Sequence, residues 1–185
     1  MNKIKLSKKI AVACFCLLIV VIAVGVFGIT NHNQGTNSPL TTGTSHYTNI
    51  SSPSSTSTSN STSDYNAKVR DISKNINSAL SDSYTTIDKL TSGAIDTETA
   101  ISHLQNDKET MDQSLSKMQA LNPPQNMQHV HSLLVSALQD LDNALSLQIS
   151  GLKNNDANDI QSSMDLINSA KSKMEQAKKE HNNLT

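Results

Sequence analysis

The chain has 185 residues, 36% of them hydrophobic, and 15 Lys and Arg stand against 16 Asp and Glu for a net charge of −1. There is no Trp, and both Phe residues, Phe15 and Phe27, lie near the start, so any later core is built from Leu, Ile, Val, Met, Ala and a few Tyr, which predicts helices rather than sheets. Four of the basic residues, Lys3, Lys5, Lys8 and Lys9, precede a long apolar block; the remaining 11 face 16 acidic residues, a net of −5 with no basic stripe, which argues against nucleic acid as a partner.

The apolar block, Ile10 to Ile29, is 20 residues without a charge. At about 1.5 Å per residue it spans roughly 30 Å, the thickness of a hydrocarbon core. After the basic residues of 1–9, no Lys or Arg occurs until Lys68. The positive-inside rule therefore places 1–9 in the cytoplasm and everything after the block outside. The expectation is an uncleaved transmembrane anchor over 10–29. A cleaved signal segment is the competing reading, with the small residues at Ala23–Gly25 as its processing site. The run exceeds the usual signal core of about 7–15 residues, which favours the anchor. Either reading exports the remainder, to the cell surface or, after cleavage, into the medium. Both cysteines, Cys14 and Cys16, lie inside the block, so no disulfide framework is available beyond it. "AVAC" ending at Cys14 has the look of a lipidation box, yet most of the apolar run follows that cysteine instead of preceding it.

Residues 30–63 are dominated by Ser and Thr, with Pro39 and Pro53 as breakers. Such a stretch buries too little apolar surface to offset its ordering entropy, and it reads as a disordered, hydrophilic stalk. Asn49, Asn60 and Asn183 open glycosylation acceptor patterns.

From Asp64 the apolar residues recur at spacings of three and four, which predicts amphipathic helices. The first stripe is Tyr65, Val69, Ile72, Ile76, Leu80, Tyr84, Ile87 and Leu90, with Ser63 as N-cap and Gly93 suited to a left-handed exit. The second begins at the N-cap Asp96 and runs Ile101, Leu104, Lys108, Met111, Leu115 and Met118, with Lys108 expected to snorkel outward. "NPP" at Asn122–Pro124 stops it, and Pro124 is placed to open the next helix. The third stripe, the most apolar, is Met127, Val130, Leu134, Leu138, Leu141, Leu145, Ile149 and Leu152, widened by Leu133 and Leu147. A turn from Asn154 leads to the last, carrying Ile160, Met164, Ile167, Met174 and Ala177, with Lys178 and Lys179 suited to a helix C-terminus.

The predicted fold is all-α: the anchor, the stalk, then an antiparallel up-down four-helix bundle over 64–182 with coiled-coil-like packing, and a short tail at 183–185. Two helical hairpins that close only as a homodimer are the alternative. The architecture resembles the extracytoplasmic bundles of transmembrane receptors, but nine residues on the cytoplasmic side leave little room to carry a signal inward.

No catalytic constellation is visible: no "GxSxG" elbow, Walker loop, "GxGxxG" or "HExxH" occurs. Asp140 and Asp142 are two apart on a helix, so they diverge and cannot work as a pair. The same holds for His129 and His131. Folding the helices back on one another does gather Met118, Met127, His131 and His181 near one end, and thioether with imidazole donors suits copper. Methionine on such a stripe more often fills core space. The functional expectation is a membrane-anchored, non-enzymatic binding or interaction module at the cell surface, without a cofactor, whose partner is a cell-envelope polymer or a membrane protein. Copper-type metal binding through those four residues is the alternative.

Overall fold

The computed structural model describes residues 56–184, with side chains from residue 62 onward. The segment at 10–29, the greater part of 30–63 and Thr185 lie outside the described residues. Within them four α-helices pack together: α1 (Thr56–Thr91), α2 (Thr97–Gln119), α3 (Gln128–Asn154) and α4 (Ala157–Leu184), with a 3-10 turn at Gln125–Met127 ahead of α3. Among the described residues there is no strand, and no helix is long and apolar enough to cross a membrane.

Local chemistry sets most of the helix ends. Asp96 accepts a 2.8 Å hydrogen bond from the Thr99 backbone N–H, as its capping position predicts. Gly93 leaves α1 at φ 76, and the Ala94 N–H donates back to the Lys89 carbonyl at 2.8 Å. Asn155 closes α3 in the left-handed conformation, φ 52 and ψ 41, and the Asp156 side chain accepts from the Asn158 N–H at the start of α4. Pro124 stays just outside its helix: its carbonyl accepts from the Met127 N–H at 2.8 Å, and the 3-10 turn begins one residue later.

Ser63 does not cap α1, which begins at Thr56 and runs through it, so residues 56–63, expected as part of the disordered stalk, are helical. After Pro53 no Pro or Gly interrupts the chain before Gly93. Ser and Thr lie only tenths of a kcal/mol, at most about 0.7, below Ala in a helix, and extending a formed helix is far easier than starting one.

Along α3 and the turn before it, the stripe of Met127, Val130, Leu134, Leu138, Leu141, Leu145, Ile149 and Leu152 is buried throughout, whereas on α1, α2 and α4 the buried faces depart from the apolar stripes. On α1 the buried positions Tyr65, Val69, Ile72, Ile76, Ala79, Ser83, Thr86 and Leu90 alternate steps of four and three, and Ile87 beside Thr86 is buried as well. On α2 they are Ala100, Leu104, Asp107, Met111, Ser114 and Met118. On α4 they are Ile160, Ser163, Ile167, Ala170, Met174, Ala177 and His181. Leu80, Ile101 and Leu115 are half-buried flanks packed against this core, one residue past the seam on α1 and α2, and Met164 is likewise only half-buried beside Ser163.

Small residues explain the shift. Ala137, Ala144 and Gly151 on α3, and Ser163, Ala170 and Ala177 on α4, each recur every seventh residue and are buried. They let two helix backbones approach, and α3 with α4 is the most extensive pairing in the domain. His129 reaches Glu180, Asp140 reaches Lys173 and Ser150 reaches Asp159. The α4 numbers fall as the α3 numbers rise, so these two helices run antiparallel.

Candidate functional site at the terminal end

One end of the domain collects the start of α1, the α2–α3 connection and the finish of α4. Tyr65 on α1 meets His131 on α3, and Glu180 on α4 meets His129, which fixes all these elements at one level. Met118 lies in the last turn of α2 and Met127 in the 3-10 turn. His131 lies in the first turn of α3 and His181 in the last turn of α4. The four candidate ligands therefore share this end. Met118 and Met127 are each 2% exposed and belong to the apolar core, His181 is 5% exposed, and His131 is half-buried.

The Tyr65 hydroxyl lies 3.1 Å from His131 Nδ1, and the phenol donates when that nitrogen is unprotonated. The two rings meet edge to face at 5.9 Å between centroids. This contact leaves His131 Nε2 as the nitrogen available to anything else. Burial pushes the Tyr65 hydroxyl up to about 12. Burial also lowers the pKa of both His131 and His181. His129, two residues before His131, is turned outward and lies 3.3 Å from Glu180 Oε1.

Among the described residues no group of three or more His, Cys, Asp or Glu is placed to hold a metal ion. A metal at this end therefore depends on the methionine sulfurs as donors. Thioether sulfur binds soft ions such as copper(I), and two imidazoles would complete a mixed donor set.

The carboxylates nearer the middle are held in interhelical contacts. Asp140 and Asp142 diverge to opposite neighbours: Asp140 takes Lys173 of α4 at 2.6 Å, and Asp142 takes Lys108 of α2 at 2.8 Å. Lys108 also holds Asp112 at 2.9 Å, so it turns sideways along the surface where a solvent-directed side chain is expected. Burial opposes the charge on Lys108, but its bonds to the two carboxylates prevail and hold its pKa up. Its hydrogen bond keeps the Asp112 carboxyl low, while burial pushes Asp142 up. Beside this triad an open groove of about 310 Å³ is lined by Gln105, Lys108, Glu109, Asp112, Ser146 and Ile149.

Two groups escape a sequence reading. Tyr65 reads as one more apolar stripe residue, and nothing local announces its bond to a helix two elements away. Asp107 belongs to no motif and no apolar stripe, yet it is buried against Ser83. Its only signal is its position three residues after Leu104 and four before Met111.

Comparison with protein-family models, with curated proteins and with solved structures gives no match.

Proposed function

We propose that this chain is a membrane-anchored, extracytoplasmic up-down helical bundle that acts at the cell surface by binding or interaction and not by catalysis. One observation carries the reading. An uncharged run of 20 residues, preceded by four lysines and followed by none until Lys68, leads through a Ser/Thr-rich stretch into the four-helix domain. The fate of the ionisable side chains supports the non-catalytic part: Asp112, Asp140 and Asp142 are engaged with lysines, two of them across helices. Anchorage by 10–29, a stalk over 30–55 and a cell-envelope or membrane-protein partner belong to this proposal.

Labelling tests it. Ser102 is exposed on α2, and Ser102→Cys gives a thiol outside the apolar block that holds Cys14 and Cys16. A membrane-impermeant maleimide added to intact cells is expected to label this thiol without lysis. Alkaline carbonate is expected to leave the protein in the membrane fraction. Labelling only after lysis would reverse the orientation, and release by carbonate would replace the anchor with a cleaved segment.

A second reading, a copper-type site, is favoured by the common placement of Met118, Met127, His131 and His181 at the terminal end. Copper(I) titration of the full-length protein tests it, with the combined variant Met127→Ala and His131→Ala. The reading requires at least a tenfold loss of affinity, and equal affinity would end it.

A further inference from the structure

We propose that Asp107 is a proton-operated clasp between α1 and α2: with its carboxyl protonated, α1 is held firmly to the domain, and with it ionised the contact loosens. The inference does not depend on the anchor or on any ligand.

Asp107 occupies a core position. It follows Leu104 and precedes Met111 on the buried face of α2, both of them fully enclosed, and is itself 8% exposed. A carboxylate at such a place ordinarily needs a cation beside it, because leaving water unpaired is expensive. Here the partner is a hydroxyl: Ser83 Oγ on α1 donates to Asp107 Oδ2 at 2.8 Å in a buried contact.

The charges around it do not neutralise it. Asp82, adjacent to Ser83 on α1, adds like charge, and His103, one turn earlier on α2, opposes it only when protonated. The neighbouring Lys108 is committed to Asp112 and to Asp142, the carboxylate that α3 brings to this level. Burial comes first among the influences, and with Asp82 it outweighs the Ser83 bond and His103, so the carboxyl sits above its ordinary value.

The direction of the response follows. A carboxyl whose folded pKa is raised contributes stability that is fully present below its unfolded value. That stability is lost as pH rises through the folded value. Acid therefore tightens the α1–α2 contact, and neutral pH charges a core position that only a serine satisfies. The contact lies on α1, the helix that joins the domain to everything N-terminal of it.

Urea unfolding of the full-length chain in detergent micelles, at pH 4.5 and 7.5, tests the clasp with two variants. Asp107→Asn removes the titration. Ser83→Ala removes the bond that favours the ionised form, which raises the carboxyl further. His103, whose charge acts on Asp107, is replaced by Gln in all three proteins, the wild-type reference included, so that the remaining histidine titrations are common to them and cancel in the comparison. The wild type is expected to gain more in urea midpoint on acidification than Asp107→Asn, and Ser83→Ala more than the wild type. Amide exchange, corrected for intrinsic rate, is expected to place the gain in α1 and α2 ahead of α4. Equal midpoint shifts in the three proteins, or a gain spread evenly over all four helices, overturns the proposal. If Asp107→Asn does not fold, Ser83→Ala decides alone: a shift no larger than that of the wild type rejects the clasp.

Discussion

Gly151 leaves no room for a side chain where α3 meets Ile160 of α4. A Cβ there would lie 2.7 Å from Ile160 Cδ1, 2.8 Å from Ile160 Cγ1 and 3.0 Å from the Asp156 carbonyl oxygen. Gly151→Ala gains about 1 kcal/mol in helix propensity, but overpacking at a buried contact costs about 1–3 kcal/mol. The expected net result is a lower urea midpoint, and an unchanged or higher one would show that Ile160 can give way. The half-buried His131 and the buried His181 make a second prediction. Because burial lowers the pKa of His131 and His181, their neutral forms suit the folded state. The stability they contribute is present above about 6.5, their unfolded value, and is lost as pH falls through the lowered folded values. Between pH 7.5 and pH 5 the double variant His131→Gln and His181→Gln should lose less stability than the wild type. Asp107 works in the opposite sense, so the difference between the two proteins is the quantity to measure. An identical pH dependence in the two would mean that these rings do not titrate differently on folding.

At the scale of elements, four helices and their short connections were legible because apolar residues at steps of three and four, Asp96, Gly93 and the prolines all point the same way. The seam itself was legible only where its residues are large. Ile101, Lys108 and Leu115 define a stripe by hydrophobic bulk and rhythm, whereas the core uses Ala100, Asp107 and Ser114, one residue earlier. A close helix contact selects small side chains, and bulk on either side of the contact misleads a reading based on hydrophobicity alone. The same slip exchanges Ser83 for Tyr84 and Ser163 for Met164. Paired substitutions separate the two readings. Ala100 is fully buried, so Ala100→Leu is expected to destabilise by about 1–3 kcal/mol although it adds apolar surface. Leu104→Ala, at a position both readings share, should cost about 2–5 kcal/mol. A neutral or stabilising Ala100→Leu in thermal unfolding would restore the stripe through Ile101. The candidate site was legible to the same depth. Alternating helix directions bring Met118, Met127, His131 and His181 to one end, but the Tyr65–His131 bond depends on how α1 lies against α3, which no local pattern encodes.

At the scale of the whole molecule, composition divides the chain into parts with different work. All the Phe and Cys lie in the first 29 residues, and every acidic residue lies from Asp64 onward. Among the described residues the only large hydrophobic side chain left exposed is Leu184, so the helices satisfy one another. A domain closed in this way and, as proposed above, joined to a membrane by a hydrophilic segment should survive being cut loose. Protease added to intact cells tests this most directly. The account predicts cleavage within residues 30–55 from outside, release of a helical fragment that retains the C-terminus, and cooperative unfolding of that fragment on heating. Protection of the whole chain until the membrane is permeabilised, or digestion of the domain along with the segment before it, would contradict it.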